Sequence, residues 1–123
     1  MALSTLNGVT VLVVEDSWHV ARAIKCVLEL FGMQVIGPTA TTTEARQLTA
    51  AHEPKLALVD VNLKQETSHD LICELHKQGI LVVVVSGYAS VSVAPETIAG
   101  YLQKPFNGPE LINVIGSVVD RLQ

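Results

Sequence analysis

Ile80 to Val85 is six apolar residues in a row, the longest such run in the chain. A strand without polar alternation has no solvent face, so it belongs inside a sheet covered on both sides. Crossing a bilayer takes roughly 20 apolar residues, so this run is a buried strand rather than a membrane segment. Val11 to Val14 and Leu56 to Val59 have the same character, and Val35-Ile36 is a briefer run ended by Gly37-Pro38. Between these runs lie longer stretches with helical spacing. One extends from Ser17 to Phe31 and is stopped by Gly32; another covers Thr43 to Ala51, with Thr42 or Thr43 as its cap and Pro54 just beyond. A third, Ser68 to Gln78, is closed by Gly79.

A short fifth strand falls at about Gly100 to Gln103. The last helix begins after Asn107, where Glu110 completes a capping-box pattern and Pro109 sits in the first turn. Apolar strands alternating with helices predict an α/β fold, a doubly wound five-stranded parallel sheet of (βα)₅ type. One segment breaks the rhythm. Only 17 residues separate Ser86 from Lys104, and Pro95 turns Ala94 away from helix. The fourth helix is therefore expected to be short or missing, with Glu96 to Ala99 supplying at most a turn.

Composition narrows the function classes. A length of 123 residues suits one domain, expected to occupy 1–123. A hydrophobic content of 49% excludes intrinsic disorder. With 8 Lys and Arg against 12 Asp and Glu and no basic cluster, nucleic acid is not an expected partner. Cys26 and Cys73 lack a CxxC spacing and read as free thiols of a reducing compartment. Met1 to Val9 has no signal-peptide pattern, and the expected localisation is cytoplasmic.

In an open parallel sheet, function gathers beyond the carboxyl ends of the strands. Those ends are Glu15 and Asp16, Asp60 and Asn62, Ser86, and Lys104. Periodicity alone selects these positions, yet they hold three carboxylates, a hydroxyl and an ammonium. Like charges 4 Å apart repel by roughly 4 kcal/mol at an effective dielectric of 20, so such a cluster raises a pKa or recruits a cation. Oxygen ligands and net negative charge match Mg²⁺. No His or Cys lies at a strand end, and zinc is not expected there.

With these residues in place, the chain resembles the receiver domain of response regulators in two-component phosphorelays over nearly its whole length. The resemblance rests on Glu15-Asp16 after Val11-Leu12-Val13-Val14, on Leu58-Val59-Asp60, on Ser86-Gly87, and on Lys104-Pro105-Phe106 with Tyr101 three residues earlier. It implies the flavodoxin-like fold with strand order 2-1-3-4-5. It implies Asp60 as the phosphoacceptor for a histidine kinase or phosphotransfer protein, with Asp16 and Asp60 ligating Mg²⁺ directly, Glu15 through water and Asn62 through its backbone carbonyl. Lys104 and Ser86 would bind the phosphoryl oxygens, and Tyr101 would turn inward as the switch. The implied protein is a stand-alone response regulator without an output domain. Its only chemistry would be Mg²⁺-dependent self-phosphorylation and autodephosphorylation at Asp60, and it would signal through contact with a downstream protein.

Two departures from the family pattern stand out. The loop after Asp60 lacks the proline common just after the Leu63 position and runs a residue or two longer. The stunted fourth helix alters the face that commonly carries output. Two other readings remain, a phosphorylation-independent receiver-like scaffold and a flavodoxin-like nucleotide or flavin binder. Against the latter, no glycine-rich loop follows the first strand.

Other features suggest lesser roles. His69, Cys73 and His76 share a helix face, but one face cannot surround a tetrahedral ion, so boundary positions are the expectation. Trp18 is expected to cover the start of the first helix. The first and last helices carry apolar faces broader than the roughly 100° of a core stripe, which raises a homodimer through either as an expectation.

Overall fold

The computed structural model describes residues 6–64, 66–87 and 95–122. Five strands, β1 (Thr10–Val14), β2 (Gln34–Thr39), β3 (Leu56–Asp60), β4 (Leu81–Ser86) and β5 (Gly100–Gln103), form one sheet in the order β2-β1-β3-β4-β5. All pairings are parallel. The helices are α1 (Trp18–Leu30), α2 (Thr42–His52), α3 (His69–Lys77) and α4 (Gly108–Asp120). This is the doubly wound parallel sheet expected from the apolar runs, in the strand order that the resemblance to receiver domains implies.

The wholly apolar strands are buried on both faces because alternate side chains enter different layers. Val11, Val13, Leu56, Leu58, Val83 and Val85 join Ile24 and Leu28 of α1 and Leu111, Ile115 and Val119 of α4. Leu12, Val14, Ala57, Val59, Val82 and Val84 join Ala45 of α2 and Leu71, Ile72 and Leu75 of α3. Every residue of β3 is buried, Asp60 included. Asp60, the last residue of β3, is thereby carried to the rim of the sheet on a strand packed on both faces.

Several boundaries differ from the sequence expectation for identifiable reasons. β2 does not stop at Gly37-Pro38 but runs through them to Thr39. As the edge strand it loses no ladder bond at Pro38, and Gly37, at a φ of 93°, follows a shift of register between Leu12 and Val14. A side chain at Gly37 would stand 3.1 Å from the carbonyl oxygen of Val13. α2 begins at Thr42, with Thr41 as the cap in place of Thr42 or Thr43; Thr41 Oγ1 accepts from the Glu44 N–H at 3.2 Å. The capping box of α4 is formed as expected, with Glu110 N–H on Asn107 Oδ1 at 2.8 Å and Asn107 N–H on Glu110 Oε1 at 3.0 Å.

Between β4 and β5 a single 3₁₀ turn, Pro95–Thr97, is the only helical structure among the described residues, and residues 88–94 lie outside them. The breadth of the apolar face on α4 has an internal explanation. Leu111, Ile112, Ile115, Val118 and Val119 are all buried, and the exposed Leu122 lies just past the helix end. On α1 the breadth remains outside: Leu30 is 79% exposed.

Candidate functional site

β1 and β3 are neighbours whose connections leave in opposite directions, one toward β2 and the other toward β4. Their carboxyl ends open into the crevice that such a switch point creates. Glu15 and Asp16 follow β1 directly, and Asp60 ends β3. Carboxylate oxygens of these three residues lie within 4.8 Å of one another. β4 contributes Ser86, 2% exposed. The Ser86 carbonyl accepts the Lys104 N–H at 2.8 Å, which seats the lysine beyond β5.

The Lys104 ammonium bridges the cluster. Its Nζ lies 2.8 Å from Asp60 Oδ2 and 2.8 Å from Glu15 Oε1. Asn62 N–H donates to the other Asp60 oxygen, Oδ1, at 3.1 Å. Glu15 is held by its own N–H on the Thr39 carbonyl at 2.9 Å and by the Ser17 N–H on Oε2 at 3.0 Å. Its Oε1 has no donor aimed along a lone pair, although it is buried beside the ammonium. Burial raises the Glu15 carboxyl above the ordinary 4.5, against the lowering pull of Lys104 and the Ser17 N–H, and the Asp60 charge adds to the rise. For Lys104, burial lowers the ammonium's pKa, but the bonds to Asp60 and Glu15 outweigh it and the net shift is upward.

The donor set fits a hard divalent cation. All three ligating groups are carboxylates, one offers an oxygen without a directed hydrogen bond, and the single lysine leaves net negative charge. Asn62, with an exposed side chain, lies at the entrance, its N–H already turned to Asp60.

Tyr101 stands apart from this group. It is half-buried on β5 opposite Val84 and packs against the layer shared with α2 and α3. Trp18, the first residue of α1, lies against the helix's first turn, with the Arg22 guanidinium 5.1 Å from its ring centre, and is 64% exposed. On α3, His69 is half-buried while Cys73 and His76 are exposed, and among the described residues these three form no group able to hold a metal ion.

The sequence reading missed the residues that tie down the loop after β3. Asn62 and Thr67 pair as a small antiparallel bridge, and Leu63 N–H donates to Glu66 O at 3.0 Å. Ser68, fully buried, places its hydroxyl on the Asp60 and Val61 carbonyls. Glu66 reaches α2, where its carboxylate accepts from the Thr42 N–H at 3.0 Å and the Thr42 hydroxyl at 2.6 Å. These bonds hold the Glu66 carboxyl below the usual range. No local signal marks a contact between residues 24 positions apart.

Comparison with known proteins agrees with this geometry. A family model described as the response regulator receiver domain matches residues 11–116. The C4-dicarboxylate transport transcriptional regulatory protein DctD of Pseudomonas aeruginosa is 28% identical over 114 residues, 85% of this chain and 24% of that protein. The transcriptional regulatory protein PdtaR of Mycobacterium tuberculosis is 25% identical over 118 residues, 92% of this chain and 58% of that one. The chain thus spans about a quarter of one relative and under three-fifths of the other. Among solved structures, a CheY-like receiver domain protein from Methanospirillum hungatei is 26% identical with a TM-score of 0.81, covering 94% of this chain and 96% of that one. The response regulator PhyR from Brucella abortus, 22% identical, shares the fold at a TM-score of 0.81 over 97% of this chain and 51% of its own. A match over most of the chain, on the same strand ends that hold the acidic cluster, settles the family: the chain belongs to the response regulator receiver domains of two-component systems.

Proposed function

We propose that this receiver domain takes a phosphoryl group on Asp60 from a histidine kinase or phosphotransfer protein, with Mg²⁺ required, and signals by contact with a downstream protein. The observation that carries the reading is the Glu15, Asp16 and Asp60 cluster bridged by Lys104 at the carboxyl ends of the strands. Asp60 is the nucleophile: a carboxylate oxygen bonds to phosphorus, the bond from phosphorus to the donor nitrogen breaks, and the imidazole leaves with the electron pair. The product is an acyl phosphate. Asp16 and Asp60 would hold the cation directly, Glu15 through water and Asn62 through its carbonyl. When bound, the cation supplies positive charge that offsets the charge of the transferring group.

The chain's own part is mostly positioning. Asn62 N–H fixes one Asp60 oxygen. Lys104 neutralises the other before transfer and exchanges it for a phosphoryl oxygen afterwards, a charge-assisted contact of the strong kind. Ser86, buried at the end of β4, would donate its hydroxyl to a second phosphoryl oxygen. Tyr101 lies in the layer against α2 and α3, so an inward turn of its ring would report the exchange to that face.

Incubation with phosphoramidate and Mg²⁺, followed by intact-mass measurement, tests the reading. One phosphoryl group should add to the wild type and none to Asp60→Asn or to the wild type with the cation chelated. A wild type that gains no phosphoryl group under these conditions overturns it and leaves the scaffold reading.

A further inference from the structure

We propose that Glu66 is a positioning residue for the phosphoacceptor site, clamping the loop that carries Asn62 onto the first turn of α2. The inference rests on the reading of that site as a Mg²⁺-dependent phosphoacceptor. It starts from a problem the loop itself poses. Residues 61–68 must hold a ligand carbonyl at Asn62 and an N–H on Asp60 Oδ1, yet they include no proline to stiffen them.

The base of the loop is well anchored. Val61 N–H reaches the Val85 carbonyl at 3.0 Å, Ser68 N–H reaches the Val61 carbonyl at 3.0 Å, and the buried Ser68 hydroxyl sits on the Asp60 carbonyl. Leu63 is buried in the core layer with Leu71 and Ile72, which holds one side of the loop. The tie to α2 is made at Glu66, one residue before Thr67, the bridge partner of Asn62.

Glu66 is suited to that role by what it meets. The first N–H groups of a helix have no partner within it, and the N-terminal end favours negative charge. Thr42, the first residue of α2 and 5% exposed, offers both its N–H and its hydroxyl to the two Glu66 oxygens. Arg46, one turn on, donates from Nη1 to the Thr42 hydroxyl at 3.2 Å. The same guanidinium holds Glu74 of α3 through Nε and Nη2, each at 2.9 Å. A chain of directed bonds therefore runs from the site loop through α2 to α3. Two bonds on one carboxylate resist rotation as one bond does not.

Outer-shell groups that orient a metal ligand typically change metal affinity by about 10- to 100-fold when removed. Calorimetric titration with Mg²⁺ alone, amide chemical shifts of Asn62 and Thr67, and thermal unfolding together provide the test. Glu66→Ala should weaken Mg²⁺ binding by about tenfold and move the Asn62 amide; Thr42→Val, which loses the hydroxyl bond but keeps the N–H bond, should do the same to a smaller degree, while Thr42→Ser, which keeps N–H and hydroxyl, behaves as wild type. The Glu66→Ala/Thr42→Val double variant should lose no more affinity than Glu66→Ala alone, since Glu66→Ala already removes both bonds. A Glu66→Ala protein that unfolds at lower temperature but binds Mg²⁺ within twofold of wild type overturns the proposal. So does a Thr42→Ser protein that fails like Thr42→Val. If the wild type binds no Mg²⁺ and takes no phosphoryl group, the site reading itself falls and the clamp with it; a wild type that does both, beside an unaffected Glu66→Ala, removes the clamp alone.

Discussion

Glu15 is the residue at which the cost of building this site is most visible. Its carboxyl is buried, and its pKa stands above the ordinary 4.5 because ionisation is disfavoured in the folded state. The sign of the consequence follows from linkage. Below 4.5 the group is protonated in both states and no penalty applies; as pH rises through the higher folded value, stability is lost. Without divalent cation, Glu15→Gln should therefore unfold at a higher temperature than wild type at neutral pH, and the advantage should vanish near pH 4. Equal unfolding temperatures at both pH values would show that Glu15 carries no penalty. Lys104 works in the opposite direction. Its raised pKa means that its contribution is complete below 10.5 and disappears only above the folded value. Removing it leaves Glu15 and Asp60 facing each other uncompensated. Lys104→Met should cost about 1 to 2 kcal/mol at neutral pH, with Mg²⁺ restoring part of it; an undiminished denaturation midpoint would contradict this.

At the level of elements, the informative contact is β5 against α4. Gly100 opens β5 opposite Val83, and a Cβ there would stand 2.9 Å from Val114 Cγ1 and 3.2 Å from Val118 Cγ2. These are branched side chains of a helix already seated in the core, so neither has a free rotamer to retreat into. Gly100→Ala should destabilise by about 1 to 3 kcal/mol through overpacking. The check is a denaturant midpoint, and an unchanged value would mean that α4 shifts easily. The same contact explains why the apolar face of α4 is wider than one packing partner requires. Helical periodicity gives the width of a stripe but not the number of elements that cover it. α4 packs against β4, β5 and α1 together, so its stripe is consumed internally. On α1, the exposed Leu30 lies beyond the reach of the sheet.

At the scale of the molecule, the sheet and the acidic cluster behave as one unit, because the carboxylates come from the ends of two neighbouring strands, β1 and β3, and Lys104 meets them from beyond β5. Mg²⁺ binding should therefore stabilise the whole domain. Cation at 100 times its dissociation constant adds about 2.7 kcal/mol if the unfolded chain does not bind it. Thermal unfolding with Mg²⁺ and with chelator measures this, and coincident curves would speak against a site at Glu15, Asp16 and Asp60. None of the described helices is long and apolar enough to cross a membrane. The wholly apolar character of β4 is instead met by two layers of side chains, on the α1–α4 and α2–α3 sides.

Much of this was legible in the chain itself. Unbroken apolar runs such as Ile80 to Val85 specify a doubly covered parallel sheet, because only that arrangement buries successive side chains on opposite faces. Once the strands are placed, their carboxyl ends are known, and Glu15, Asp16, Asp60, Ser86 and Lys104 follow without any knowledge of distances. Capping chemistry is similarly local, which is why Asn107 and Glu110 could be paired from a spacing of three. What only the tertiary structure decided was contact between elements far apart in sequence. Glu66 on Thr42, the Ser68 hydroxyl on the Asp60 carbonyl, and the exposure of Trp18 depend on how a loop and two helices settle on a finished sheet. Periodicity describes one element at a time. The direction of a side chain across a gap is set by the packing of both its sides, and that exists only after the chain has folded.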